Sequence, residues 1–330
     1  MQTPEALLPD SLTLTARLVA AFNASRPSLV TVLERKRPRY MSTFPNEIVT
    51  CRLPDGSNRR LFCKYEAGRN HSSYGHRGGL AYEAEVYYRI LRPLGTVRPG
   101  LVAAHTDHSD GGTWLLLEYL DHCTRLKDIR VRRKGISQPV ALSLAARWLG
   151  QFHTAAQPRL SSESLSFLKR YDAAYYAGWV RRTWELAKPL RPLFPWLAAL
   201  CKQPHKMFAP LLDVNPTLIH GEFYINNILV RRKNVFPVDW ESAAIAAAEI
   251  DLAALIEGPW RPEVVQRSVR EYLRNRWPGG PPAEFPSILD AARLYLHFRW
   301  LGEREDWTLH EKNRWRFEQL RLVAQRQLLL

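Results

Sequence analysis

The stretch HGEFYINNILV, residues 220–230, places a histidine, a carboxylate and two amides within eight residues, and VDWE follows at 238–241. A hard cation such as Mg²⁺ takes oxygen ligands, typically one or two carboxylates plus substrate phosphates. Asn227 and Asp239 can supply a carbonyl and a carboxylate of that kind. Glu222, five residues before Asn227, then stands where a substrate hydroxyl could hand over its proton. The competing reading is turn chemistry: Asp and Asn are common hairpin residues, and an Asp before Trp can simply cap a turn.

Short apolar segments must position these groups. TLIH (217–220), NILVR (227–231) and VFPVDW (235–240) read as strands, with Arg232, Lys233 and Asn234 at a turn. The polar residues of 220–227 thus fall in a loop between two strands and Asp239 at the end of the third, where a rigid scaffold presents reactive groups. Up to about residue 120 the chain is β-rich, with strands expected at 28–35, 47–53, 59–65 and 113–120 and a PDGSN hairpin at 54–58. One helix, LAYEAEVYYRIL (80–91), interrupts them after the loop GRNHSSYGHRGG. Beyond residue 137 the pattern turns helical. Ser137 occupies an N-cap position ahead of Pro139, Leu142, Ala145, Leu149 and Phe152 recur at helical spacing, and further helices are expected at 164–189, 247–258 and 286–328.

HGEFYINN followed by VDWE resembles the HGDxxxxN and [IV]DW[ED] motifs of the aminoglycoside phosphotransferase and choline kinase family. The resemblance is strongest over 215–258, where EIDLAAL (249–255) also matches, and extends more weakly over most of the chain. It implies an α+β, protein-kinase-like fold: a small N-terminal β-rich nucleotide-binding lobe with one key helix (1–117), a hinge (118–122), and a larger, mainly helical C-terminal lobe (123–330) for catalysis and acceptor binding. It also implies ATP and Mg²⁺ as cofactors, a small-molecule hydroxyl acceptor as partner, and direct transfer of the γ-phosphate. Carried onto this sequence, Asn227 and Asp239 hold the metal, Glu222 is the catalytic base, and His220 supports the loop. Lys64, on the third strand, engages the nucleotide phosphates and pairs with a helical carboxylate, Glu83 in preference to Glu85. Glu118, Tyr119 and Leu120, in LLLEYLDH, face the adenine. Asp251 ties its helix to the catalytic loop, and His153 reads as a packed helix residue.

Two departures stand out. There is no GxGxxG loop, so phosphate cradling would fall to the turn around Met41, Ser42, Thr43 and Phe44, a segment that reads at least as well as a plain turn. Glu222 stands where the family has Asp, one methylene longer, and misplacement by about 1 Å can cost roughly 10²-fold in rate. The alternative reading is therefore a catalytically weak or inactive kinase-like nucleotide-binding protein. For the acceptor, family members acting on aminoglycosides or choline call for an acidic, sometimes aromatic pocket. RWLGEREDW (299–307), with Glu303, Glu305, Asp306 and two Trp, and Trp240 with Glu241 could furnish one; a solvated, charge-mixed helix end is the preferred account of 303–306.

The wider composition excludes several classes. A chain of 330 residues with 46% hydrophobic residues is long enough for two lobes with sizeable cores. MQTPEALLPD has neither a basic n-region nor an apolar stretch, and no window reaches the ~20 apolar residues of a spanning helix, so a cytoplasmic protein without membrane association is expected. The four cysteines lack metal-site spacing and are too few for a disulfide framework. A net charge of +15 would suit a polyanion, yet the basic runs are scattered, so nucleic acid is not the expected partner and an anionic or neutral acceptor fits the charge better than a cation. Oligomeric state is not legible.

Overall fold

The structure is a computed structural model that describes residues 8–22, 30–39, 44–66, 75–95, 99–106, 112–130, 135–160 and 165–330. The chain divides into two compact units, Met1–Cys123 and Thr124–Leu330.

The first unit opens with helix α1 (Ser11–Ala21), capped by Asp10, whose carboxylate accepts from the Thr13 amide at 2.8 Å. Strands β1 (Thr31–Lys36), β2 (Asn46–Arg52) and β3 (Asn58–Tyr65) follow. Next come α2 (Gly79–Glu85), running through a π-helical segment Val86–Leu91 into the short α3 (Arg92–Leu94), and then β4 (Leu101–Thr106) and β5 (Thr113–Glu118). The strands form one antiparallel sheet in the order β1-β2-β3-β5-β4. Alternation along β3 sends Leu61, Cys63 and Tyr65 to one face, where they pack with Leu14 and Leu18 of α1, and leaves Lys64 on the opposite face. The expected PDGSN hairpin joins β2 to β3, with Gly56 at φ +80° and Asp55 accepting from the Ser57 amide. Helix α1 and strand β4 were not expected from the sequence.

The second unit contains β6 (Thr124–Arg125), α4 (Gln138–Ala156), β7 (Lys169–Arg170), α5 (Ala173–Leu186), α6 (Leu197–Cys201) and α7 (Pro204–Leu212). Four short strands follow: β8 (Thr217–Ile219), β9 (Ile228–Arg231), β10 (Asn234–Pro237) and β11 (Ala244–Ala246). Helices α8 (Glu249–Ile256), α9 (Pro262–Arg276), α10 (Phe285–Leu301), α11 (Glu305–Leu309) and α12 (Trp315–Arg326) complete it. Two small sheets, β10-β9-β6 and β7-β11-β8, sit among the helices.

Several sequence expectations are corrected here. The single helix expected over 286–328 is three, broken after Leu301 and Leu309. The expected 164–189 helix begins only at Ala173, where Asp172 caps it by accepting from the Tyr175 amide at 2.7 Å, and strand β7 precedes it. Helix α9 was missed. Ser137 occupies the N-cap of α4 but makes no capping hydrogen bond from its side chain.

Helices α4 and α9 approach closely because α4 carries Gly150: a Cβ there would lie 2.7 Å from the Tyr272 carbonyl oxygen. The Thr154 hydroxyl, which donates to the Gly150 carbonyl at 2.8 Å within α4, also lies 3.3 Å from the Asn275 and Arg276 carbonyl oxygens of the α9 end. Among the described residues no helix is long and apolar enough to cross a membrane.

Candidate active site

In the first unit, Lys64 and Glu83 form a buried ion pair: Nζ lies 3.0 and 2.8 Å from the two carboxylate oxygens, with the residues 4% and 0% exposed. Helix α2 presents Glu83 inward because Leu80, Ala84, Val86 and Tyr87 bury the same side. Glu85 points elsewhere and pairs with Arg89 one turn on. A buried ammonium without a counter-ion is costly, so each partner fixes the other's conformation.

At the end of the sheet, the Glu118 amide donates to the Gly100 carbonyl at 2.8 Å and the Tyr119 amide to the Arg60 carbonyl at 3.0 Å. The Arg60 guanidinium also lies over the Tyr119 ring, Glu118 is exposed, and Leu120 is buried. Ser42 and Thr43, with Met41, lie outside the described residues. Phe44 is buried.

In the second unit the loop 220–227 leaves β8 through a tight bend. Gly221 has φ +80°, and a Cβ there would sit 2.1 Å from the Ser242 carbonyl oxygen, so only glycine fits. The loop closes on itself: the Tyr224 amide donates to the Glu222 carbonyl (2.7 Å), the Asn227 amide to the Tyr224 carbonyl (2.8 Å), and Asn227 Nδ2 to the Glu222 carbonyl (3.1 Å). Because Nδ2 is committed inward, Asn227 Oδ1 is oriented as the outward acceptor. The β9–β10 hairpin then brings Asp239 beside Asn227, for the register pairs Pro237 with Ile228 and the Val238 amide donates to the Asn227 carbonyl at 2.9 Å. Asp239 itself has φ +71°, a left-handed conformation that a residue other than glycine adopts at some cost and that recurs at functional sites. An amide oxygen and a carboxylate from adjacent chain segments are the hard donors a magnesium ion takes together with phosphates, so the residues present fit such an ion. Among the described residues, no cluster of three or more His, Cys, Asp or Glu side chains forms a metal cage.

Asp251, fully buried at the start of α8, holds the loop from behind. Its carboxylate accepts from the His220 amide (2.6 Å), the Gly221 amide (2.9 Å) and His153 Nε2 (3.3 Å). His153 is therefore more than a packed helix residue: it joins α4 to Asp251, and its Nδ1 meets the Tyr272 hydroxyl at 3.1 Å. His220 Nδ1 lies 3.3 Å from the Glu222 amide, which can only donate, and Nε2 lies 3.0 Å from the Val238 carbonyl, which can only accept. These partners fix the neutral tautomer with hydrogen on Nε2. Burial lowers the pKa of both His153 and His220, in keeping with neutral rings. Trp240, fully buried, packs its indole 4.4 Å from the His220 ring and against Phe152, and Glu241 is buried beside it. Neither can line an acceptor pocket; Trp240 supports His220 instead.

Glu222 is 5% exposed, and its Oε1 lies 3.3 Å from Nη1 of Arg299 on α10. Arg299, 1% exposed, also donates to the Tyr224 hydroxyl at 2.7 Å. The sequence reading missed this arginine. A signal existed: Arg299 sits in a largely apolar helix at i+3 and i+4 from Leu296 and Tyr295, and an isolated cation on such a stripe asks for a buried partner. Glu305 and Asp306 are solvent-exposed, and Asp306 pairs with Arg304.

Comparison with known proteins follows the same lines. No curated protein matches the chain. Among solved structures, the choline kinase LicA from Streptococcus pneumoniae superposes with a TM-score of 0.58 at 14% identity, covering 96% of this chain and 99% of its own. A GDP complex of an aminoglycoside 2'-phosphotransferase-IIIa variant gives 0.61 at 14% identity, covering 96% and 97%. An AMP-bound spectinomycin phosphotransferase gives 0.56 at 12% identity, covering 95% and 98%. These likenesses show the fold, α+β and protein-kinase-like. The sequence model of the phosphotransferase enzyme family matches residues 55–286, a span from the β2–β3 hairpin to the start of α10. The chain is thus a member of the phosphotransferase enzyme family.

Proposed function

We propose that this protein transfers the γ-phosphoryl group of ATP directly to a hydroxyl of a small molecule. The observation that carries the reading is the loop 220–227 with Asp239 after β10, in which Glu222, Asn227 and Asp239 are positioned by Asp251, His220 and the β9–β10 hairpin. Lys64, fixed by Glu83, engages the nucleotide's phosphates. Asn227 and Asp239 would hold a magnesium ion, which when bound would offset the negative charge of the phosphates. Glu222 orients the acceptor hydroxyl and takes its proton as the new P–O bond forms and ADP departs. The neutral His220 ring does not transfer protons; it keeps the Glu222 amide and Val238 carbonyl in place. Positioning and electrostatics carry such a reaction without a covalent intermediate. The nucleotides named for the similar folds, GDP and AMP, support use of a purine nucleotide here.

One observation favours a second reading, a nucleotide-binding protein with weak or no catalysis: the Glu222 carboxylate is ion-paired to Arg299. Magnesium-dependent ATP turnover, measured with and without a pool of hydroxylated small molecules, separates the two. Turnover stimulated by an acceptor and lowered roughly 10²–10³-fold by Asp239→Ala supports transfer. Nucleotide-induced stabilisation without turnover under any acceptor supports the second reading.

A further inference from the structure

We infer that Arg299 is a built-in counter-ion on the acceptor side of this site, and that the acceptor is an uncharged, polyhydroxylated molecule and not an organic cation. The inference rests on the phosphotransfer reading above, since the acceptor hydroxyl must reach Glu222.

A pocket that captures an ammonium ion needs carboxylates without internal cations and an open aromatic face. Around Glu222 both are already committed. Arg299 Nη1 lies 3.3 Å from Glu222 Oε1 and 3.8 Å from Glu303 Oε2. The Trp300 ring carries the Arg299 guanidinium at 4.8 Å and the Arg316 guanidinium at 4.7 Å from its centroid. Arg316 is itself paired with Glu257 at 2.5 Å. The Tyr224 hydroxyl receives hydrogen bonds from Arg299 at 2.7 Å and from the Trp300 indole at 2.8 Å.

The chain's own arginines therefore occupy the positions that a cationic acceptor would fill. A guanidinium cannot shed its proton to make room for another cation. With Arg299 almost wholly buried, its charge is poorly screened, and a second cation at Glu222 would meet it directly. A polyol brings no charge, and its hydroxyls can donate to the Glu222 carboxylate.

The test compares choline with its neutral carbon isostere, 3,3-dimethyl-1-butanol, by calorimetric titration of the full chain. The two probes share shape and hydroxyl and differ in charge. The wild type is expected to bind choline no more tightly than the isostere. Arg299→Met and Arg299→Gln, each checked for folding by its melting curve, are expected to bind choline at least about tenfold more tightly than the wild type does. Arg299→Lys, which keeps the charge, is expected to show no gain. In turnover assays, neutral sugars and polyols should outperform choline and amino sugars. A wild type that prefers choline about tenfold or more, or that phosphorylates cationic acceptors preferentially, overturns the inference. So does the absence of any gain in choline binding in both the Met and the Gln variants. The titrations need no nucleotide, so failure of the phosphotransfer reading, seen as no magnesium-dependent turnover with any acceptor, is read separately.

Discussion

The Asp251 carboxylate grips the backbone at His220, accepting that residue's amide at 2.6 Å while its other oxygen accepts the next amide, of Gly221, at 2.9 Å. A helix start thereby fixes the position of a loop 30 residues earlier in the sequence. Replacing Asp251 with Ala leaves two amides and a histidine buried without their acceptor. At about 1–3 kcal/mol for each of the three orphaned groups, the expected loss is on the order of 3–9 kcal/mol. Chemical denaturation checks the stability, and turnover should fall together with it.

Gly221→Ala tests the bend. Its Cβ would meet the Ser242 carbonyl at 2.1 Å in a left-handed conformation, so backbone must move. The conformation alone costs about 1–3 kcal/mol, and the clash adds to it. A lowered melting temperature with turnover reduced about 10²-fold is expected from displacement of the loop; a variant that melts and turns over like the wild type would refute this role for the bend.

Glu222→Gln and Glu222→Asp separate two functions of one carboxylate. Gln retains an oxygen facing Arg299 but removes the base, and should lower kcat by roughly 10²–10⁴-fold with little change in KM for nucleotide. Asp restores the shorter side chain that the family's motif carries but draws back from Arg299, now 3.3 Å away. It should lose rate and also stability, read in the same melting assay.

Lys64→Met and Glu83→Gln should each raise KM for nucleotide and lower kcat. Since the pair is buried and mutually fixed, the double variant should cost less than the two single effects combined. Steady-state kinetics over the four proteins give the coupling directly; strict additivity would show that the pair does not act as a unit.

Stability should fall on acidification. Burial lowers the pKa of His153 and His220, and burial with nearby Arg316 and Arg293 lowers that of His297 to about 3. Below the ordinary histidine pKa of about 6.5 the unfolded chain binds protons that the folded chain refuses. Stability is therefore fully present above about pH 6.5 and lost as pH drops towards the depressed values. Melting temperatures from pH 8 to pH 5 should decline below 6.5, with a shallower slope in His297→Gln.

The readable parts of this chain are those in which chemistry is local. The β9–β10 hairpin and the PDGSN turn follow from short-range pattern, because strand alternation and turn residues are local, whereas the Lys64–Glu83 pairing is expected from the family resemblance, with helical phase serving only to prefer Glu83 over Glu85. Arg299 could not be assigned a role in that way: its partner Glu222 is 77 residues away in sequence, and only the packing of α10 beside the loop brings them together. The same holds for His153, whose link to Asp251 spans 98 residues. Helix breaks were lost for another reason. The segment 286–328 keeps an apolar stripe through Gly302 and His310, so its pattern reads as continuous while the backbone turns twice.

The π-helical segment Val86–Leu91 has a consequence for comparing sequences. Each π turn carries about one residue more than an α turn, so the helix from Gly79 to Leu94 contains two phases. One phase is anchored by Glu83 on Lys64, and the other seats Ile90 and Leu91 in the interior. A gapless alignment to a helix of uniform pitch is therefore in register at Glu83 and one residue out by Leu94. A shorter relative could drop a residue within 86–91 and leave the lysine–glutamate pair where it is.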